Sequence, residues 1–102
     1  MAAVSMMILR VVDDDFPTWV ECELTDRFGR AWRIIDKLPS FEAVSPLGDI
    51  YPRAGTIVCQ VIGGGSDDQG RAFVHIDTGR PHGVQSVEER TQFQVFAEQI
   101  TE

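Results

Sequence analysis

The side chains of this sequence whose types suit catalysis or metal binding are two histidines and the carboxylate between them. His75 and His82 flank Asp77, and imidazole and carboxylate groups serve as proton carriers and as metal ligands. The spacing matches no common zinc pattern, and both cysteines fall at expected core positions. We therefore prefer one exposed strand histidine and one loop histidine, and we keep a small enzyme that uses His75 and Asp77 as an alternative function.

Asp77 also begins the triplet Asp77-Thr78-Gly79, which follows the apolar segment 73–76. The triplet resembles the catalytic signature of retroviral-type aspartic proteases, in which two carboxylates share one proton. In that family the triplet lies in the first third of the chain, whereas here it lies in the last quarter and is followed by Arg80-Pro81. We interpret it as a strand that ends in a turn.

Two further segments have simpler explanations than ligand binding. Asp13-Asp14-Asp15 lacks the alternating ligand spacing and the distal glutamate of a calcium loop, so a solvated turn is predicted. The segment 63–70 is rich in glycine, but it lacks the lysine of a phosphate loop and contains two carboxylates. A hairpin loop is predicted there, and we expect neither a metal site nor a cofactor.

Length and charge restrict the class of protein. The chain has 102 residues and a formal net charge of −7. The length fits one domain over residues 1–102, and the charge argues against nonspecific nucleic-acid binding, because that binding depends on clustered Lys and Arg. An acidic surface suits a basic protein partner, although net charge first of all favours solubility. Residues 1–5, before Met6 and Met7, are expected to form a loose tail.

The strongest structural signal is a β-hairpin over residues 19–37. Asp26 and Gly29 suit a type I turn with a bulge, in which the glycine takes a positive φ. The turn sets a register that places one face of the hairpin in the core. A slip by one residue would turn Arg33 toward that core, so the apolar pattern supports the same register. The predicted pairs are Asp26 with Arg30, Leu24 with Trp32, Glu23 with Arg33, Cys22 with Ile34, Glu21 with Ile35, and Trp19 with Lys37.

The remaining strands follow from alternating apolar residues and Gly- or Pro-rich turns. They predict an all-β or nearly all-β fold, a small antiparallel and partly open β-barrel of about six strands with at most one short helical turn. The helical turn is expected at 86–89, and the connector 38–54 has room for a short strand near Phe41–Val44. The six strands are Met6–Val12, 19–25, 30–37, Thr56–Ile62, Arg71–Asp77 and Thr91–Glu98.

The outer face of the hairpin is the candidate binding surface. It carries Trp19, Glu21, Glu23 and Arg33, and exposed aromatic and Arg side chains are the usual anchors of protein interfaces. If the strands are neighbours, a patch is expected from Trp19, Ile35, Phe73 and Phe96. The alternative is that a curled sheet buries these side chains.

Cysteine usage and hydropathy indicate the compartment. Cys22 and Cys59 are expected as buried thiols of a reducing cytoplasm, and a bridge between them is left open. We find no stretch as long and apolar as a membrane span, and the first ten residues do not have the form of a secretory signal.

Two segments together resemble small bacterial β-barrel proteins, some of which are immunity proteins that neutralise a toxin of the same strain. They are Asp26-x-x-Gly29 ending in Asp36-Lys37, and Pro81-x-Gly83-x-x-Ser86-x-Glu88 leading into Phe93-x-Val95. Glu89-Arg90 stands where that pattern has a glycine. The resemblance implies a noncovalent protein-binding module, an inhibitor of a toxin with a basic surface. A small-ligand or nucleic-acid-binding barrel is the alternative, and a homo-oligomer is left open.

Overall fold

The computed structural model describes residues 1–15, 17–38, 41–43 and 50–102. The fold is nearly all-β with antiparallel pairing, as predicted, and a 3-10 turn at Ala97–Gln99 follows the last long strand. In chain order the strands are β1 (Ala3–Asp13), β2 (Trp19–Thr25), β3 (Ala31–Lys37), β4 (Phe41–Ala43), β5 (Arg53–Val58), β6 (Gln60–Ser66), β7 (Ala72–Asp77), β8 (Gln92–Phe96) and β9 (Ile100–Thr101).

These strands form two sheets around a shared core. The larger sheet has the order β3-β2-β1-β5-β4, with β9 paired to β1, and the smaller has the order β6-β7-β8. Within the described residues the sheets do not close into a barrel. Only Cys59 separates β5 from β6, so one stretch of chain bends there from the larger sheet into the smaller. The Cys59 N–H donates to the Ala2 carbonyl at 2.9 Å, which holds the bend against the start of β1.

The hairpin of β2 and β3 has the predicted register at every pair. Its core face is buried, with Cys22, Leu24 and Ile34 fully inaccessible to solvent. The Trp32 ring packs edge-on against Phe93 of the smaller sheet, with ring centroids 5.7 Å apart. The register was predictable because the turn and the apolar alternation independently require the same pairing.

The first strand is longer than predicted. Residues 3–5 belong to β1 and not to a loose tail, since Val4 pairs with Ile57 of β5 and with Ile100 of β9. Ala2 and Val4 are buried, because they extend the inward alternation of Met6 and Ile8 toward the start of the chain.

The glycine-rich segment is largely strand and not a loop. The predicted strand Thr56–Ile62 is two strands, and β6 continues through Gly63 to Ser66, leaving a turn at 67–70. The Phe73 ring of β7 lies 3.2 Å from the position that a Cβ atom on Gly65 would occupy. Glycine is therefore needed here for the close packing of a neighbouring ring. The sequence alone does not distinguish such a glycine-rich strand from a glycine-rich loop.

Two other predictions concern connections. The short strand expected near Phe41–Val44 exists as β4, while Val44 and residues 39–40 and 45–49 of the connector lie outside the described residues. The helical turn expected at 86–89 is instead a bulged β-turn, in which the Glu89 N–H donates to the Ser86 carbonyl and Glu89 has a φ of 67°. A positive φ at the fourth residue is incompatible with a continuing α-helix.

Candidate functional site

The structure brings the four predicted binding residues together on the outer face of β2 and β3. Trp19, Glu21 and Glu23 are half-buried and Arg33 is exposed. Glu23 forms an ion pair with Arg33 at 3.2 Å, and Glu21 forms one with Arg10 of β1 at 2.7 Å. Both carboxylates therefore already have a cationic partner within the chain, which reduces the charge that this face offers to another molecule.

The predicted aromatic patch is divided between the two sheets. Trp19 and Ile35 lie on the larger sheet, whereas Phe73 and Phe96 form a facing pair on the smaller one. The bend at Cys59 places β6 in a second sheet, so the four strands are not neighbours in one surface.

A five-residue turn occurs three times and positions a different cluster. The turns are 26–30, 67–71 and 86–90, and each begins with Asp or Ser and ends with Arg. In each turn the first N–H donates to the arginine carbonyl at 2.9 Å. The arginine N–H donates to the first side-chain oxygen, at 3.0, 2.8 and 3.1 Å in chain order. The fourth residue has a φ of 81°, 77° or 67°, which completes the bulge.

The arginines that close these turns stack on aromatic rings. The guanidinium carbon of Arg30 lies 3.8 Å from the Trp32 ring centroid, and that of Arg90 lies 4.6 Å from the same ring. The Arg71 guanidinium carbon lies 3.4 Å from the Phe96 centroid. Stacking fixes the planar cations against the sheet, while their edges donate to neighbouring acceptors: Arg90 Nε to the Gln92 carbonyl at 2.6 Å, and Arg71 to the Glu98 carboxylate.

Arg27, inside the first turn, joins that turn to the smaller sheet. Its backbone N–H donates to the Gln94 carbonyl and its Nε to the Gln94 amide oxygen, both at 2.8 Å. Its guanidinium carbon lies 4.1 Å from the Phe28 ring centroid and 4.0 Å from that of Phe73. Arg27 is thus held between two rings, and Phe28 is 67% exposed at the tip.

These contacts define the arginine–aromatic surface, which consists of Arg27, Phe28, Arg71, Phe73 and Phe96. A depression of about 590 Å³ separates the first turn from Arg71 and Phe96. Glu98 at its border pairs with Arg71, and the Gln99 side chain donates to the Thr25 carbonyl at 2.9 Å. Aromatic and Arg side chains are enriched at the centres of protein interfaces, so the surface has the composition of a binding site.

Arg27 and Phe28 were predicted to lie in a turn, but the sequence did not predict this cluster. Their partners Phe73 and Gln94 are distant in the chain, and only the pairing of β7 with β8 and the bend at Cys59 bring them close. One signal was present: the spacing of Asp or Ser four residues before Arg recurs at each of the three turns.

The residues weighed for catalysis have structural hydrogen bonds. Asp77 Oδ1 accepts the Gly79 N–H at 2.8 Å, and the buried Thr78 hydroxyl donates to the Val84 carbonyl at 2.8 Å. His75 is half-buried opposite Gln94, and His82 is exposed in the turn beyond. The arrangement is that of a strand ending in an organised turn.

The acidic run and the cysteines complete the chemical inventory. The carboxylates of Asp13, Asp14 and Asp15 lie within 4.8 Å of one another and are exposed. Cys22 and Cys59 are free thiols, both buried. Burial, with the nearby charges of Asp36 and Glu21, raises the pKa of Cys22 to about 12, and burial raises the pKa of Cys59 to about 11. Both thiols therefore stay protonated near neutral pH, which makes them poor nucleophiles.

No protein-family model, curated protein or solved structure matches the chain. Among the described residues, no helix has the length and apolar character needed to cross a membrane.

Proposed function

We propose that the protein is a noncovalent protein-binding module whose anchor is the arginine–aromatic surface. The observation that carries this proposal is Phe28, a large apolar side chain exposed at the tip of a turn that is fixed on both sides. Asp26 fixes the turn from within, and the bonds from Arg27 to Gln94 fix it against β8. A rigid anchor loses little conformational entropy on binding, so more of its contact energy appears as affinity.

We further propose a partner with a basic surface, such as a bacterial toxin that this protein inhibits in the cytoplasm. The net charge of −7 supports this choice, because opposite charges accelerate the encounter of two proteins. The exposed acidic run 13–15 lies before β2 in the chain, and Arg27 and Phe28 of the arginine–aromatic surface lie after it. The acidic groups and the anchor are therefore at opposite ends of one strand. The outer face with Trp19 and Arg33 lies on that same strand pair and is the competing location for the interface.

A second candidate function is binding of single-stranded nucleic acid on the same surface. Phe73 and Phe96 with stacked arginines resemble the aromatic platforms that bind unpaired bases. The net charge opposes this function, and we expect no salt-dependent binding of a fluorescent single-stranded oligonucleotide at physiological ionic strength. Binding that weakens steeply with added salt would favour this second candidate.

The test places a photo-crosslinking amino acid at position 28 in the native cell. A matched control carries it at Val12, which is 37% exposed and lies in β1 beside the end of the hairpin opposite the turn. We expect one protein to be captured from position 28 and not from position 12, and mass spectrometry identifies it. The purified pair is then measured by calorimetry.

The variant Phe28→Ala should weaken that complex at least about tenfold, as expected for an interface anchor. Its melting temperature should be unchanged, since Phe28 is largely exposed. The double variant Trp19→Ala and Arg33→Ala tests the competing face. If the double variant abolishes binding and Phe28→Ala does not, the interface lies on the outer face of β2 and β3 and the proposed anchor is wrong.

A further inference from the structure

The outer edge of the smaller sheet is a strand without charge. β6 lies at the end of the order β6-β7-β8, and in the described part of the chain it pairs with β7 alone. All seven of its residues are exposed. Gln60-Val61-Ile62-Gly63-Gly64-Gly65-Ser66 contains no ionisable side chain and no proline, two of the features by which edge strands avoid pairing with another strand.

We propose that this edge pairs antiparallel with β6 of a second copy of the chain, about a two-fold axis at Gly63. An interface between identical patches must be self-complementary. In this register Val61 faces Gly65 of the second copy, and Ile62 faces its Gly64. The large side chains of one strand thus meet the positions without a Cβ atom on the other, and the same holds in reverse.

The exposure of the two large residues supports this register. Val61 is 39% exposed and Ile62 is 46% exposed. A bulge between Val61 and Gly63 shifts the pairing with β7 at Ile62. Pairing with a second copy buries both side chains and joins backbone groups that otherwise face solvent along the edge.

Charges at the two ends of the strand favour the same partner. Two chains of net charge −7 repel each other, so the contact must be uncharged or locally complementary. Asp68 follows β6, and Arg80 lines a pocket of about 410 Å³ together with Gln60 and Val61. Antiparallel pairing about Gly63 brings position 67 opposite position 59 of the second copy. Asp68 of each copy then approaches Arg80 of the other, which forms two equivalent pairs of opposite charge.

The first test measures mass against concentration by analytical ultracentrifugation. The wild-type protein should pass from 11.4 kDa toward twice that mass as the concentration rises. Gly63→Lys should weaken the dimer at least about tenfold, because two lysines meet at the axis. This variant should still fold, since a Cβ atom at Gly63 would meet only the Cβ of His75, at 3.8 Å.

A matched pair of variants locates the contact. Ile62→Lys on β6 should also yield the monomer, whereas Ile35→Lys, at a 43% exposed site on the larger sheet, should leave the dimer unchanged. Phe28→Ala should leave it unchanged as well, so a failed anchor and a failed dimer are distinguishable. Charge reversal at Asp68 or Arg80 alone should weaken the dimer, and the double reversal should restore it.

Amide exchange provides a direct readout of the strand pairing. Exchange at alternate residues of β6 should slow as the concentration rises, and it should not slow in Gly63→Lys. The proposal is overturned if the wild-type protein remains a monomer at millimolar concentration. A dimer that survives both Gly63→Lys and Ile62→Lys also overturns it. The same holds if β6 pairs with an added peptide while the protein alone stays monomeric.

Discussion

At the scale of single residues, the Asp26 carboxylate has a structural role, because it accepts three hydrogen bonds within the first hairpin. Asp26 Oδ1 accepts the N–H groups of Phe28 and Arg30 at 2.9 and 3.0 Å, and Oδ2 accepts the indole N–H of Trp32 at 2.9 Å. Asp67 makes the corresponding turn bonds through Oδ1 in an exposed turn. The two residues therefore differ in burial and in the bond to Trp32, which allows a controlled comparison.

We expect Asp26→Ala to lower the free energy of unfolding by about 3 kcal/mol, because it leaves a buried indole N–H and two turn amides without their acceptor. Asp67→Ala should cost about 1 kcal/mol or less, because water replaces the lost acceptor. Urea titration of both variants provides the measurement. Equal losses would show that the bond to Trp32 contributes little to the stability of the hairpin.

At the scale of elements, local sequence signals predicted one turn correctly and a second turn wrongly. The first hairpin was predicted in full because Asp26 and Gly29 supply the turn and neighbouring residues supply the register. The turn at 86–90 has the same hydrogen bonds but was predicted as helical, since Glu89 replaces the glycine and Ser86-x-x-Glu89 resembles a helix cap. The backbone bonds of the turn outweighed the local preference of the side chain.

Glu89 is consequently in a conformation that favours glycine, with a φ of 67°. We expect Glu89→Gly to raise the free energy of unfolding by about 0.5–1 kcal/mol, the relief of left-handed strain less the added entropy of the unfolded chain. Gly70→Glu is the reciprocal control at a φ of 77° with no atom near its Cβ position, and it should lower stability by about the same amount. Thermal denaturation of both variants measures the two changes, and a loss of stability in Glu89→Gly would contradict this account.

At the scale of the whole molecule, long-range placement separates what the sequence could predict from what it could not. The nearly all-β class and the faces of β2 and β3 follow from alternation within single segments. The arginine–aromatic surface depends on the approach of the first turn to Gln94 and Phe73. No local pattern contains that approach, because it results from the bend at Cys59 and the pairing of β7 with β8.

The two thiols connect this shared core to the pH dependence of stability. Their pKa is raised from 9.0 to about 12 for Cys22 and about 11 for Cys59, so above pH 9 the unfolded chain loses protons that the folded chain keeps. The unfolded state then binds fewer protons, and the free energy of unfolding falls as the pH rises. Below pH 9 this contribution is present in full.

Between pH 9 and pH 11 we expect the free energy of unfolding to fall by at most about 1.4 kcal/mol per pH unit for each thiol. Urea unfolding at several pH values measures it, and a variant with alanine at both Cys22 and Cys59 should show a smaller slope. An unchanged slope in that variant would assign the alkaline instability to other groups.

The bend at Cys59 has a consequence for how the molecule comes apart. Because β5 and β6 are one stretch of chain, neither sheet can lose that segment without removing a strand from the other. The buried side chains of both sheets also form a single cluster. Local opening of one sheet is therefore coupled to the other, and the two sheets behave as one cooperative unfolding unit and not as two independent modules.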